Sequence, residues 1–166
     1  MNPLPFILLA ISLPLLLGGC GEKHEGVNVE ELGQRESIWY LKDSETPYSG
    51  KVYALHPNGQ KMGEGNYKDG KQDGLWMSWH KNGKKQGEGY YKDGKMSGLH
   101  VAWHENGQKQ GEGYFKDGKA DGLEVSWYEN GQKESEGYFK DDNFDGLWVS
   151  WHENGQKRGE LNYKDE

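Results

Sequence analysis

The feature that most constrains this chain is a seven-residue phrase that returns every 24 residues. WHENGQK occurs at Trp103–Lys109 and again at Trp151–Lys157. Three near-copies occupy 55–61, 79–85 and 127–133. A fixed period of this length is typical of repeat proteins, in which each unit buries its apolar surface against its neighbours. The sequence predicts five consecutive units, at 50–73, 74–97, 98–121, 122–145 and 146–166.

Each unit contains turn signals that exclude a long helix. Asn-Gly recurs at 58–59, 82–83, 106–107, 130–131 and 154–155. Asp-Gly recurs at 69–70, 93–94 and 117–118, and Asp141-Asp142-Asn143 replaces it once with residues that also tolerate a left-handed turn. These pairs favour tight reversals. We therefore predict an all-β fold, an elongated single-layer antiparallel β-meander of repeated hairpins with two strands per unit.

The strand register follows from keeping apolar side chains on one face. A three-residue loop at Glu105-Asn106-Gly107 places Val101 beside Gly111, whereas a two-residue turn would place Val101 beside Glu112. Since a one-residue slip would mix the apolar set with charge, the first register is expected. Glycines in the second strand then leave room for large rings lying across from the neighbouring strand. The expected rings are Trp79, Trp103, Trp127 and Trp151.

The N-terminal segment resembles a bacterial lipoprotein signal. An apolar run from Leu4 to Leu17 is too short to span a bilayer, which needs about 20 residues, and it leads into Gly18-Gly19-Cys20. Residues 1–19 are predicted to be a signal peptide, and Cys20, the single cysteine, to carry the lipid. Met1-Asn2-Pro3 departs from the pattern because it lacks Lys and Arg. An ordinary secreted protein or an uncleaved hydrophobic tail are the alternatives.

Three expectations follow for the region after the signal. Residues 20–36 would form the lipidated cysteine and a polar tether, and residues 37–49 a capping half-repeat in which Ile38–Leu41 supplies a capping strand. The protein would lie in the bacterial cell envelope, held to the membrane by the lipid on Cys20. Gly21, directly after the cysteine, resembles the outer-membrane class if the source is Gram-negative.

Charge and composition narrow the function classes. The formal net charge is -7, and the lysines alternate with Asp and Glu. This opposes a nucleic-acid partner, because affinity for phosphates depends on clustered Lys and Arg. Only 33% of residues are hydrophobic, but 13% are aromatic, so aromatics and turns are expected to hold the fold together.

Two repeated columns were tested for chemistry. His56, His80, His104 and His152 recur at one position of four units. Equivalent positions lie two strands apart, about 9.6 Å, too far to share a metal. A second column consists of the glutamates Glu64, Glu88, Glu112, Glu136 and Glu160. An active site occurs once in a chain, whereas this column recurs in every unit, so the sequence predicts a structural role for it. We expect no metal, no cofactor and no enzymatic activity.

Units of the form DG-L-W-x-S-W-H-x-N-G-x-K…GEGYYKDGK resemble the MORN repeat, specifically its bacterial variant, from about Tyr40 to the C-terminus. The resemblance implies a single-layer β-hairpin array. It also implies scaffolding of proteins and, less directly, contact with lipid. Many such proteins are grouped under a toxin–antitoxin family name. A shared fold does not by itself identify a function.

The remaining candidates form one mixed face of polar and aromatic side chains. The candidate interaction residues are Trp76, His80, Tyr90, His104, Tyr114, Tyr138, Trp148 and His152. Such a face suits an extended protein or glycan partner, although the tyrosines could instead only stiffen cross-strand pairs. The leading hypothesis is a lipid-anchored, non-catalytic interaction or scaffold protein. The alternatives are an antitoxin-like or immunity protein that neutralises a toxin by binding it, and direct binding of membrane lipid by the repeats.

Overall fold

The computed structural model describes residues 24–163, and β-strands dominate this part of the chain. A single 3-10 turn at Val29–Glu31 is the other regular element there. The N-terminal strands are β1 (Val27–Asn28), β2 (Leu32–Arg35), β3 (Ile38–Leu41), β4 (Gly50–Leu55), β5 (Lys61–Lys68), β6 (Lys71–Gln72) and β7 (Gly74–Trp79). The later strands are β8 (Lys85–Lys92), β9 (Lys95–Trp103), β10 (Lys109–Lys116), β11 (Lys119–Trp127), β12 (Lys133–Lys140), β13 (Asn143–Trp151) and β14 (Lys157–Tyr163).

The strands from β4 onward form one long antiparallel meander. Its order is β1-β4-β5-β7-β8-β9-β10-β11-β12-β13-β14, with the short β6 also paired to β5, so the sheet has 12 strands. Strands that are consecutive in the chain mostly lie beside each other, and in the described residues the separate two-stranded sheet, β2-β3, packs only against the first strands of the main sheet. The predicted all-β, single-layer meander of repeated hairpins is confirmed.

The Asp-Gly positions form the tight reversals that the sequence predicted. Lys92 pairs with Lys95, which leaves a two-residue turn in which Asp93 has φ 51° and Gly94 has φ 82°. Two consecutive positive φ values define the turn whose twist matches that of the flanking strands. Asp141 and Asp142 adopt φ 48° and 70° in the fourth copy. The replacement of glycine there is tolerated, as expected.

The Asn-Gly loops have the predicted length, but the predicted register is wrong. His104 N–H donates to the Gln108 carbonyl, which closes the expected three-residue loop. A β-bulge between Lys109 and Gly111 then inserts one extra residue, and Val101 pairs with Glu112 rather than with Gly111. The sheet tolerates this pair because the Glu112 carboxylate is neutralised by Lys109 at 2.6 Å. Bulges of this kind cannot be read from alternation alone.

The glycines do provide room for large side chains, but not for the predicted tryptophans. A Cβ built on Gly65 would lie 2.2 Å from the ring of Trp76, and one on Gly89 would lie 2.1 Å from the ring of His100. Trp103 is two residues after Val101, and strand residues two apart share a face. Since Val101 pairs with Glu112 and not with a glycine, Trp103 and its equivalents lie on the face opposite the glycines. The register shift explains the error.

The N-terminal region is more folded than the predicted tether. Residues 24–35 include β1, the 3-10 turn and β2. Leu32 is buried in a small core with Val52 and Tyr67. The apolar residues Val27, Val29 and Leu32 explain this, because they cover the first full hairpin and remove its apolar surface from water.

The predicted capping strand takes a different partner. β3 pairs with β2 in a separate two-stranded sheet, and β1 is the strand that extends the main sheet, parallel to β4. Trp39 N–H donates to the Gly70 carbonyl at 2.9 Å, and its ring lies 5.9 Å from that of Tyr67. Residues 37–49 therefore cap the array by packing over its first Asp-Gly turn, not by joining the main sheet.

The predicted signal peptide, 1–19, and Cys20 lie outside the described residues. Among residues 24–163, no helix is long and apolar enough to cross a membrane.

Candidate functional site

The sheet has two faces of different character, and neighbouring residues of one strand show both. Phe115 and Tyr114 are adjacent in β10, so their side chains project to opposite sides. We call the side of Phe115 the groove face; it carries Trp76, His100, Glu124 and Trp148. We call the side of Tyr114 the ladder face.

The ladder face is built from repeated charge and ring contacts. Lys109 Nζ lies 2.6 Å from Glu112 Oε2 and 5.6 Å from the ring centre of Trp127 in the next unit. The same arrangement recurs with Lys61, Lys85 and Lys133. The glutamate column therefore forms structural ion pairs, in agreement with the sequence prediction. Because the pairs are partly exposed, each contributes only a fraction of a kcal/mol, about 0.2–1.

The three candidate tyrosines form an exposed stripe on the ladder face. Tyr90, Tyr114 and Tyr138 are 55%, 50% and 56% exposed. Leu99, itself exposed, pairs with Tyr114, so each tyrosine stands beside apolar surface. About half of the surface of each of these tyrosines is therefore in contact with solvent.

The groove face is open because small residues line its floor. Ser78, Ala102 and Ser126 recur at 24-residue spacing, and glycines such as Gly87 and Gly111 lie between them on the neighbouring strands. With little side chain above the backbone, a groove of about 470 Å³ runs across the central strands. The groove lies on one face of the sheet, and solvent reaches it from that face along its whole length.

One wall of the groove is a row of aromatic rings. Ring centres are separated by 5.2 Å from Tyr67 to Trp76, by 6.2 Å from Trp76 to Tyr91 and by 5.3 Å from Tyr91 to His100. A further 4.9 Å separates His100 from Phe115. The pairs are edge-to-face, the arrangement that aromatic quadrupoles favour. Burial raises the pKa of the Tyr67 and Tyr91 hydroxyls above the ordinary range.

The row of aromatic rings on the groove face is interrupted at Glu124 and resumes beyond it. Phe139 and Trp148 are 5.8 Å apart, again edge-to-face. At 24-residue spacing, Glu124 occupies the position that Trp76, His100 and Trp148 hold in three other units and Val52 holds in the first. Burial without a compensating charge raises the pKa of its carboxyl group.

The candidate histidines of the loops connect successive units. His80 Nε2 lies 2.8 Å from the carbonyl oxygen of Trp103, and His104 Nε2 lies 2.8 Å from that of Trp127. In the next unit the hydroxyl of Tyr128 donates to the carbonyl of an equivalent tryptophan. These side chains join repeats, and their ring nitrogens are engaged in doing so.

The structure therefore divides the predicted interaction face into three groups. Trp76 and Trp148 lie on the groove face, the three tyrosines on the ladder face, and His80, His104 and His152 at the loops. The division follows from the bulge, which moves the tyrosines away from the small-residue column. Four groove residues were missed, namely Tyr91, His100, Phe115 and Glu124. The signal for Glu124 was available, because it is the one acidic residue among positions 52, 76, 100, 124 and 148.

Within residues 24–163, no group of three or more His, Cys, Asp and Glu side chains is arranged to hold a metal ion. No buried side-chain nitrogen or oxygen there lacks a hydrogen-bond partner.

Fold and groove together define a class: a single-layer β-hairpin repeat protein with one open face. The sequence profile described as "MORN repeat variant" matches residues 48–69, 72–93, 96–117, 120–141 and 144–165. These segments cover more than half of the chain, which therefore belongs to the MORN repeat variant family. MORN repeats commonly act in protein or membrane interaction, and the family is a repeat module that is generally non-catalytic.

Comparison with curated proteins gives no match. Among solved structures, the chain is similar to the crystal structure of accessory secretory protein 1,2 and 3 in Streptococcus pneumoniae, at 15% identity and a TM-score of 0.34. The likeness covers 70% of this chain and 22% of that chain. A likeness at this level carries no argument about function.

Proposed function

We propose that this protein is a lipid-anchored, non-catalytic scaffold of the bacterial envelope that binds an extended segment of a partner protein in its groove. The observation that carries the proposal is the groove itself, an open strip of small residues beside a wall of aromatic rings. Sites that bind protein segments combine aromatic anchors with exposed backbone and little charge at their centre.

The shape of the groove favours an extended occupant. Its floor crosses several strands, so a ligand lying along it meets a new unit about every 9.6 Å. Trp76, His100 and Phe115 present rings or ring edges along that line. A repeating surface of this kind suits a chain that passes from one unit to the next, in contrast to a compact small molecule.

The scaffold is held in shape by bonds between units, which limits the cost of ordering on binding. Asn106 Nδ2 donates to the Glu129 carbonyl, and Gly118 N–H donates to the Met96 carbonyl at 2.9 Å. The loops at both edges of the sheet are thus joined from unit to unit. The groove is preformed for its occupant.

Anchoring rests on the sequence around Cys20. The apolar run, the two glycines and the single cysteine support lipidation and an envelope location, with the outer membrane favoured in a Gram-negative source. The test is fractionation of cells that produce the full chain or its Cys20→Ser variant. The proposal predicts that the unchanged chain sediments with membranes and that the variant does not. Equal sedimentation of both would refute the anchor.

Binding in the groove is tested by co-purification from envelope extracts with the full chain. Ala102→Trp fills the floor, and Leu99→Trp adds the same ring to the ladder face three residues earlier in the same strand. A partner that is retained by Leu99→Trp and lost by Ala102→Trp supports the proposal. Loss in Leu99→Trp alone would place binding on the other face. Circular dichroism of both variants checks that the sheet is intact.

A further inference from the structure

Glu124 interrupts a column of the groove face that carries rings in the second, third and fifth units. The column runs Val52, Trp76, His100, Glu124 and Trp148, each two residues after the glycine that opens its unit. A carboxylate between two aromatic units does not fit the packing that its neighbours share. Departures from a local rule in an otherwise consistent fold tend to mark functional positions.

The carboxylate lies over bare backbone. A Cβ built on Gly113 would lie 3.5 Å from Glu124 Cγ and 3.7 Å from Oε2, and 3.7 Å from the ring of Phe115. Glu124 and Phe115 thus meet above the same glycine, at the end of the groove.

No cation faces Glu124 within the described part of the chain. The glutamates of the ladder face are each paired with a lysine, whereas Glu124 makes no ion pair or hydrogen bond with the described residues, and water reaches its carboxylate oxygens. The ring of His100, across Gly113, has its Nε2 engaged 2.8 Å from the Tyr90 carbonyl. Burial raises the pKa of the Glu124 carboxyl group, as expected for an acid that is partly withdrawn from water without a partner.

We infer that Glu124 selects the occupant of the groove by receiving an arginine or lysine side chain of the bound segment. The inference rests on the proposed function and names the chemistry of its partner. A carboxylate beside a phenyl ring provides an ion pair and a face for stacking, which a guanidinium uses best because it is planar and offers paired donors. The net charge of -7 also favours a basic segment.

The inference is tested with the full chain in detergent micelles and two peptide probes. One is acetyl-Gly-Leu-Gly-Arg-Gly-Leu-Gly-amide, and the other carries citrulline in place of arginine, which keeps the shape and removes the charge. Binding is followed by NMR at the backbone signal of Gly113. Glu124→Gln removes the carboxylate, and Glu129→Gln, at an exposed loop residue, is the matched control for charge.

The arginine probe is expected to shift Gly113 and to bind roughly tenfold more tightly than the citrulline probe, because a hydrogen bond to a charged partner is worth about 1.5 kcal/mol or more. Glu124→Gln removes that difference and Glu129→Gln keeps it. Equal binding of both probes, unchanged in Glu124→Gln, would overturn the role of Glu124 and leave groove binding standing. Absence of any shift from either probe would count against the proposed function and the inference together.

Discussion

The imidazole Nε2 of His104 lies 2.8 Å from the carbonyl oxygen of Trp127, one repeat further along the chain. A carbonyl can only accept, so Nε2 carries the hydrogen and donates it. His56 and His80 make the same bond to the next unit, and Tyr128 makes it with its hydroxyl. The histidine column is thus a row of connectors between units.

Substitution at His104 should depend on whether the new side chain can donate. His104→Tyr reproduces the group found at Tyr128 and is expected to keep the free energy of unfolding within about 0.5 kcal/mol. His104→Phe removes the donor and should lower it by about 1 kcal/mol. Urea unfolding followed by circular dichroism measures both. Equal loss in the two variants would show that the hydrogen bond contributes nothing.

Two loop asparagines allow the effect on stability of a hydrogen bond between units to be measured apart from that of a hydrogen bond within one loop. Asn106 Oδ1 accepts from Gln108 N–H, and Nδ2 donates to the Glu129 carbonyl of the next unit. Asn154 makes the same loop bond to Gln156, but its Nδ2 contacts only the side chain of that residue among the described residues. Asn106→Ala should therefore destabilise by about 1 kcal/mol more than Asn154→Ala. Equal effects in thermal unfolding would contradict coupling through this bond.

Glycines of the groove face differ in whether a side chain lies over them. Substitution by alanine, which adds one methyl group, is therefore predicted to have different effects on stability at different glycines. A Cβ on Gly89 would lie 2.1 Å from the ring of His100, whereas Gly159 has nothing within 4 Å of that position. Neither residue has positive φ. Gly89→Ala is expected to lower the free energy of unfolding by about 1–3 kcal/mol, and Gly159→Ala to leave it unchanged or raised by about 0.5 kcal/mol. A neutral Gly89→Ala would refute the ring-over-glycine packing.

The unpaired carboxylate of Glu124 predicts a pH dependence of stability. Burial raises its pKa above the ordinary value of 4.5, so the folded state holds the proton more tightly than the unfolded state does. Its favourable contribution is complete below pH 4.5 and is lost as pH rises through the folded-state pKa. The stability of the wild type relative to Glu124→Gln should therefore fall as pH rises from 4 to 7.

Thermal unfolding of the two proteins across that pH range checks this expectation, with Glu129→Gln as the control for removing one carboxylate at an exposed loop position. A difference between wild type and Glu124→Gln that is constant with pH, or that grows in favour of the wild type, would contradict it.

Much of the fold followed from turn chemistry, because Asn, Asp and Gly at fixed spacing leave few backbone alternatives. Asp93-Gly94 and the loop at 105–107 were both predicted, and both form the expected reversals. The bulge at Gln110 was not predictable, because an extra residue between Lys109 and Gly111 cannot be read from the alternation of apolar and polar residues. That single residue decided which side chains share a face.

The site was predicted only in part for the same reason. Trp76 and Trp148 were recognised as candidates and lie on the groove face, but Tyr114 faces away from them and His104 is engaged with Trp127. The folding of Leu32 into a core was missed because an isolated leucine in a polar stretch carries no periodic signal. Identifying the groove required knowing which residues stand above the glycines.

The claim that the groove face binds the partner is tested most directly by photo-crosslinking from Phe115 and Tyr114, neighbours in one strand that face opposite sides. Each is replaced in turn by p-benzoyl-phenylalanine in the full chain, and intact cells are irradiated. The account predicts one defined crosslinked protein from position 115 and none from position 114, with the same membrane association for both variants. A defined crosslink from position 114 alone would contradict it.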